Sequence, residues 1–495
     1  MNKRLTFHLI GNVLRLAGLL MLLPLIVSLI YGGSDAVPIL IAMVITVAAG
    51  SALAMIRPRR DTLRAREGFA VVAFSWILVS FFGGLPFYFN HSIPSLVDCF
   101  FETVSGFTTT GATILTDVEA LPKGLLFWRS FTHWGGGMGV LVLSLALIPK
   151  MGARSIHLMR AESPGPSTDK LVPRVSNNAK ILYGIYVGLS VLMVIALLLC
   201  RLNLFDAVVH MFGAAGTGGF GTYGNSIAHW NSAAVDIVIG VFMALFGVNF
   251  SLYYFMLRRN WRAALGNSEM RLYWAILLGA TVLIALDIMP LFRQGYYAMA
   301  TNAVIPDKAN FFTALRYSFF QVSSVMTTTG YATADFNQWP QFSRVLLVVI
   351  MFIGASAGST GGGIKVIRLQ LLIKSMVRDI RRTIHPKSVN TIKLDGHTVD
   401  ENILSGVEGF FFAYMFVLLV STIIVSLDGF SFETNFTAVV ATLSNIGPGL
   451  GMVGPTGNFA AFSDLSKLVL SLCMLIGRLE VFPILMLFAP SAWRQ

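Results

Sequence analysis

Runs of about 20 apolar residues recur from one end of this chain to the other, and no other feature restricts its fold so severely. As a helix, such a run spans a bilayer core and satisfies its own backbone there. Only 12% of the residues are charged and 55% are hydrophobic, whereas roughly a quarter of a soluble domain is charged. So few charges cannot solvate the surface of a soluble 495-residue fold. The chain is read as an all-α polytopic membrane protein.

The net charge of +12 does not point to nucleic acid, because of where the cations sit. They cluster between apolar runs: Arg57, Arg59, Arg60, Arg64 and Arg66; Lys150, Arg154, Arg160, Lys170 and Arg174; Arg258, Arg259 and Arg262; and Lys365 through Lys393. The alternate connections, near 90–98, 202–206, 217–235 and 427–463, carry almost none. This positive-inside pattern places the basic loops and both termini in the cytosol, lipid around the spans, and the chain in a plasma membrane. A nucleic-acid binder more often carries its charge on a hydrophilic tail. Cys99, Cys200 and Cys473 lie in or beside apolar segments and suggest neither a disulfide framework nor a metal cluster. The run 9–31 exceeds a signal-peptide core and is expected to be a retained helix.

Two helices, about 9–31 and 37–56, precede a unit that repeats four times: a long apolar helix, a short amphiphilic segment, a loop rich in glycine and threonine, and a second helix returning to a basic end. The boundaries are placed at 1–66 for the N-terminal pair, then 67–179, 180–265, 266–395 and 396–495 for the repeats. The loops read Thr109-Thr110-Gly111-Ala112-Thr113, Thr217-Gly218-Gly219-Phe220-Gly221, Thr328-Thr329-Gly330-Tyr331-Ala332 and Asn445-Ile446-Gly447-Pro448-Gly449. More than 100 residues separate successive central glycines, too many for a solenoid repeat. Two spans and a re-entrant segment account for that length. Four such units, each entering and leaving on the cytosolic side, also explain why every linker between them is basic.

The segments before the loops are too short to span. Two open with an acidic residue, Asp98 and Asp206, and two with asparagine, Asn310 and Asn435, as suits helix N-termini. A half-length helix followed by irregular backbone is tolerated at membrane depth only where protein buries it or it lines water. Such loops suit a dehydrated cation. Backbone carbonyls replace its lost water without adding fixed charge, so the ion can enter and leave. Glycine reaches the dihedrals that turn those carbonyls inward. The oxygens expected to face a monovalent cation belong to Thr110, Gly111, Gly218, Gly219, Thr329, Gly330, Ile446 and Gly447; Thr109, Thr217, Thr328 and Asn445 complete the filter, and Thr109, Thr217, Thr328 and Ser444 offer neighbouring hydroxyls. A single glycine-rich loop would read as a turn; four at matched places read as a filter around one pore. That reading requires the four glycines to encircle a common point.

On these loops the sequence resembles, over essentially its whole length, the bacterial TrkH/TrkG branch of the Trk–Ktr–HKT superfamily of potassium-translocating subunits. The two extra N-terminal helices are typical of that branch and absent from KtrB. The resemblance places Gly111, Gly219, Gly330 and Gly447 on the family's selectivity glycines. In plant relatives, serine at the first of these goes with sodium transport. Glycine at all four here implies potassium, in a bacterial inner membrane, with no organic cofactor. The fourth loop departs from the others, with Asn445 for threonine and Pro448 in the aromatic slot. The resemblance also implies a homodimer on a cytosolic nucleotide-binding ring of the TrkA type, for which loops 149–180 and 365–393, with Arg378, Arg381 and Arg382, are the expected docking surfaces.

Gly354, Gly358, Gly361, Gly362 and Gly363 crowd one apolar segment. Each mid-helix glycine costs about 1 kcal/mol relative to alanine, so the five are expected to break the helix below the filter; close helix packing is the alternative. The resemblance makes this break an intramembrane gate. Arg478 lies inside the last apolar run, where an arginine costs at least about 2.5 kcal/mol and must face a pore or a partner. It matches the family's pore-facing arginine, an electrostatic barrier or latch; an ion pair with Glu480 or a bond to a helix carbonyl is the alternative. Trp128, Arg129 and Trp134 read as an interfacial belt, with Arg129 also able to brace the outer mouth. Glu102 and His210 read as supports for the loops. No nucleophile–base, zinc-peptidase or nucleotide motif suggests an enzyme. Coupled K+/H+ or K+/Na+ symport, or the potassium-binding subunit of a pumping ATPase, stays open as an alternative to uncoupled uptake.

Overall fold

The computed structural model describes residues 2–56, 58, 65–147, 175–293, 310–387 and 390–488. Its first three helices, α1 (Lys3–Leu20), α2 (Leu22–Tyr31) and α3 (Ala36–Ala54), form the N-terminal hairpin. Small residues let α1 and α3 cross closely: a Cβ on Gly50 would lie 2.7 Å from Arg15 N, and one on Gly11 2.6 Å from Gly50 O. Asp35, buried between these helices and the rest, accepts from Ser28 Oγ and, at 2.8 Å, from Leu125 N. It fastens the hairpin to the first repeat.

The repeats follow in order. The first comprises α4 (Ala65–Phe89), α5 (Leu96–Phe107) and α6 (Lys123–Leu147). The second comprises α7 (Val175–Leu199), α8 (Leu204–Gly216), α9 (Ala233–Phe246) and α10 (Phe250–Leu257), with a short α11 (Trp261–Gly266) beyond. The third comprises α12 (Ser268–Arg293), α13 (Phe311–Met326), α14 (Gln341–Ile353) and α15 (Val366–Ile384). The fourth comprises α16 (Glu401–Val425), α17 (Phe432–Leu443), α18 (Asp464–Arg478) and α19 (Phe482–Phe488). Among the described residues six helices are long and apolar enough to cross a membrane, or seven if the bent pair α9–α10 is one span.

The short helices α5, α8, α13 and α17 are each closed at the N-terminus by a side chain: Ser95, Asn203, Asn310 and Ser431 accept from the amides of Asp98, Asp206, Thr313 and Thr434. The expected openers Asp98, Asp206 and Asn435 therefore sit inside the first turn, and only Asn310 is the cap itself. The two aspartates still suit the positive helix end.

Two returning helices differ from the continuous spans expected of them. In the second repeat the chain turns by 92° between α9 and α10. Asn249 caps the new helix through Ser251 N at 2.9 Å. In the fourth repeat α18 stops at Arg478, and Glu480 and Val481 take φ of 57° and 66° before α19. Glu480 leaves the helix to meet Arg368 on α15. The third repeat breaks where its glycines lie, between α14 and α15. The all-α reading also missed a small hairpin, β1 (Lys393–Leu394) with β2 (His397–Thr398), turning at Asp395-Gly396 with φ of 48° and 84°. Its Leu394 joins Ile392, Val399, Leu404, Leu371 and Ile367 in a second apolar cluster that reaches Ala357 between α14 and α15.

Candidate functional site

Each short helix ends in the same backbone figure. Two residues before the central glycine the chain is left-handed: φ is 57° at Thr109, 58° at Thr217, 60° at Thr328 and 58° at Asn445. At the glycine it is left-handed again, with 81°, 79°, 85° and 97° at Gly111, Gly219, Gly330 and Gly447. The intervening amides turn back into the helix that precedes them: Thr110 N donates to Ser105 O, Gly218 N to Gly213 O, Thr329 N to Ser324 O and Ile446 N to Ala441 O, all at 2.8–2.9 Å. With amides facing the helix, the alternation turns successive carbonyls the opposite way. A non-glycine residue pays in strain for the left-handed state; at Thr109, Thr217, Thr328 and Asn445 burial and these bonds hold it.

The loops close on one another. A Cβ on Gly111 would collide with Gly218 O, one on Gly219 with Thr329 O and one on Gly330 with Ile446 O; one on Gly447 would lie 2.8 Å from Thr110 O. Each glycine abuts the next loop in chain order, and the fourth abuts the first. All four line one cavity, enclosing roughly 600 Å³ of empty space including its mouth, together with Ala112, Thr113 and Phe220. The twelve residues expected at the filter are thereby brought together. Four short helices also end at the ring, directing partial negative charge at it.

The loops are tied by four different contacts. Asn445 Nδ2 donates to Thr110 Oγ1 at 2.9 Å, joining the fourth to the first. Arg129 lies 3.5 Å over the Phe220 ring and bonds Glu102 at 2.7 Å, joining the first to the second. The Tyr331 hydroxyl lies 2.9 Å from Phe220 O, joining the third to the second. Gly451 N donates to Asn337 Oδ1 at 3.0 Å, joining the fourth to the third. Sequence reasoning missed Tyr331, Asn337 and the side-chain role of Asn445, because no local pattern announces a bond between residues more than 100 positions apart.

The glycine-rich break lies directly under the ring. Gly354, Gly358 and Gly363 have φ of 73°, 70° and 78°, and Gly362 N donates to Thr328 Oγ1 at 2.7 Å. A Cβ on Gly361 would sit 2.8 Å from Thr327 O, and one on Gly362 would collide with Ser444 O. The break is thus seated against the lower ends of the third and fourth loops. Arg478 crosses the same space, donating to Thr360 O at 2.8 Å and to Gly136 O of α6 at 3.0 Å. Of the alternatives, carbonyl bonding holds; Glu480 pairs instead with Arg368, whose guanidinium also lies 4.1 Å over Phe410. Two supports escaped the sequence reading. Glu269 on α12 accepts from Ala357 N at 2.6 Å, and the buried Lys365 donates to Gly361 O.

The interfacial belt is corrected. Arg129 is 3% exposed and Trp128 1%; Trp128 Nε1 donates to Gly83 O at 2.9 Å and Trp134 Nε1 to Ser190 Oγ at 3.2 Å. Packing behind the loops, with partners supplied by neighbouring helices, outweighed the interface preference. Arg378 is likewise buried and bonded to Glu401 at 2.8 Å, so it is not displayed for docking, whereas Arg381 and Arg382 are exposed. Most of loop 149–180, and the cations from Arg57 to Arg64 and from Lys150 to Arg174, lie outside the described residues.

The model of the TrkH family, a cation transport protein, matches residues 36–494. The Trk system potassium uptake protein TrkH of Salmonella typhimurium is 38% identical over 500 residues, covering 100% of both chains. The Trk system potassium uptake protein TrkG of Escherichia coli is 32% identical, covering 99% of both. A crystal structure of the potassium transporter TrkH from Vibrio parahaemolyticus superposes with a TM-score of 0.87 at 33% identity, covering 100% of each chain.

Proposed function

The chain belongs to the TrkH family of cation transport proteins and is a potassium uptake subunit of the Trk type; on that premise we propose that K+ crosses the membrane through the ring of the four loops. The observation that carries this is the closure of the ring, in which each central glycine abuts the next loop and all four face one cavity. Carbonyls of Thr110, Gly111, Gly218, Gly219, Thr329, Gly330, Ile446 and Gly447 replace the ion's water, and among the described residues no carboxylate lines the cavity to trap it. Below, the segment Gly354–Gly363 and Arg478 form the gate. The seat of the segment against the ring, and the bridge of Arg478 from Thr360 O to Gly136 O of α6, support a closed gate. Opening requires Arg478 to release Thr360 O or Gly136 O and the segment to leave Thr328.

The cation distribution supports cytosolic termini, and the relatives' place in a Trk system supports a cytosolic regulatory partner of the TrkA type on a homodimer. Arg381 and Arg382, exposed on α15 below the gate segment, support that helix as the surface such a partner meets. Flux of K+, Rb+ and Na+ into proteoliposomes, with and without an imposed proton gradient, tests the reading on wild type and on Gly111→Ser. The wild type takes up K+ and Rb+ over Na+, and the variant loses that preference. Unchanged selectivity in the variant removes Gly111 from the path, and uptake that requires the gradient makes the protein a symporter.

A further inference from the structure

Nine residues before each central glycine, the short helices carry Glu102, His210, Gln321 and Ala438. The four are structurally matched, and all are buried. Each of the first three sits beside the stretch of chain that follows a central glycine. Gln321 Nε2 donates to Tyr331 O at 3.2 Å. His210 Nε2 would lie 2.7 Å from a Cβ on Gly221. Glu102 does most. Its carboxylate accepts from Thr113 Oγ1 at 2.9 and 3.0 Å and from Ile114 N at 3.0 Å, in the stretch after Gly111. It also accepts from Arg129 Nε at 2.7 Å.

Arg129, on α6, turns its guanidinium the other way, to the stretch after Gly219. It lies flat over Phe220 at 3.5 Å, and Nη1 lies 3.4 Å from Gly221 O. Phe220 also packs against His133, with ring centroids 4.1 Å apart. A carboxylate and a guanidinium that are both nearly inaccessible are costly to bury unless paired and otherwise bonded. Here the carboxylate also takes the Thr113 hydroxyl and the Ile114 amide, and the guanidinium reaches Gly221 O and the Phe220 ring, so the pair is tied to two filter loops. We propose that Glu102 and Arg129 are a positioning pair that sets the spacing of the first and second loops, and with it the preference among alkali cations. Glu102 stands outside the cavity's lining, and Arg129 reaches that lining beside Phe220 and Gly221. The pair acts by fixing where the carbonyls of Gly111 and Gly219 stand relative to each other. Rb+ and Na+ differ in the distance at which oxygens must stand, so displacing two of four loops changes discrimination before it abolishes conduction.

This inference rests on the reading of the ring as the conducting path. The test compares K+, Rb+ and Na+ flux in proteoliposomes for Glu102→Gln, Arg129→Gln, the double variant and Gly111→Ser, alongside the thermal midpoint of each purified protein. Glu102→Gln and Arg129→Gln are expected to lower the Rb+/Na+ flux ratio by about tenfold, the scale set by losing one charge-assisted bond. The double variant, which strands no charge, is expected to recover the thermal midpoint but not the ratio. If it recovers both, or if the single variants lower the midpoint with the ratio intact, the pair is merely structural and the inference falls. If Gly111→Ser also leaves the ratio intact, it is the reading of the ring that fails.

Discussion

The first and fourth loops share a backbone and almost nothing else. Both are left-handed at the central glycine and two residues before it, and both return the intervening amide to the residue five positions earlier. Behind the first stands a buried ion pair; at the matched place behind the fourth stands Ala438, fully buried and apolar. There Thr437 takes over, its hydroxyl accepting from Leu450 N at 2.8 Å, while Asn445 reaches out to Thr110 Oγ1 and, at 2.9 Å, to Met474 O. What is repeated is the direction of the carbonyls. The means of holding them is free to differ.

The contrast is sharpened most by moving the charge. Ala438→Glu places a carboxylate where no guanidinium waits, and an unpaired buried charge costs roughly 3–5 kcal/mol. The variant is expected to be poorly folded, with little monodisperse protein in detergent; a well-folded Ala438→Glu would mean the two sites are more alike than their surroundings. Next are the glycines. Gly111→Ala drives a Cβ into Gly218 O, whereas at Gly447 the nearest atom is Thr110 O at 2.8 Å. Both also pay about 1–2 kcal/mol for a left-handed alanine. The preference for K+ over Na+ is expected to be lost in the first, as in Gly111→Ser, and to persist, reduced, in the second. Equal loss would break the distinction.

Smaller effects follow. Asn445→Ala removes two buried bonds at about 1 kcal/mol each, one of them the tie to Thr110 of the first loop. Its midpoint of thermal unfolding should fall, and Asn445→Gln should not match the wild type, since the longer arm overshoots Thr110. The least disruptive is Tyr331→Phe, which deletes a single hydroxyl between the third and second loops at a cost of about 1 kcal/mol. K+ flux should survive it with a modest loss of stability in detergent.

The fold was legible where it depends on local composition. Apolar runs, basic linkers and glycine at a repeated interval place the spans, the four loops and the break after Ile353. The left-handed glycines follow directly, since little else tolerates φ near 80°. What could not be read is whatever depends on residues brought together from afar. Arg129 looked interfacial because tryptophans flank it; its true neighbour, Glu102, lies on a different helix. Glu480 looked like the partner of Arg478 because it is two residues away, yet a helix end intervenes and Arg368 lies closer in space. The bend of the second repeat at Gly247 had no proline or glycine cluster to announce it, and its cause lies outside that repeat.

That bend has a consequence for movement. Where α9 stops, Gly247 O is left without a helical donor and receives Ser356 N at 3.0 Å; where α10 starts, Phe250 N turns to Gly358 O at 3.1 Å. The two interrupted segments, from different quarters of the molecule, mend each other's ladders. Neither can regain a regular path while the other keeps its own. On the proposed reading of a gate at this level, opening it is a joint motion of the second and third quarters, and a rigid splint across either one is expected to arrest both.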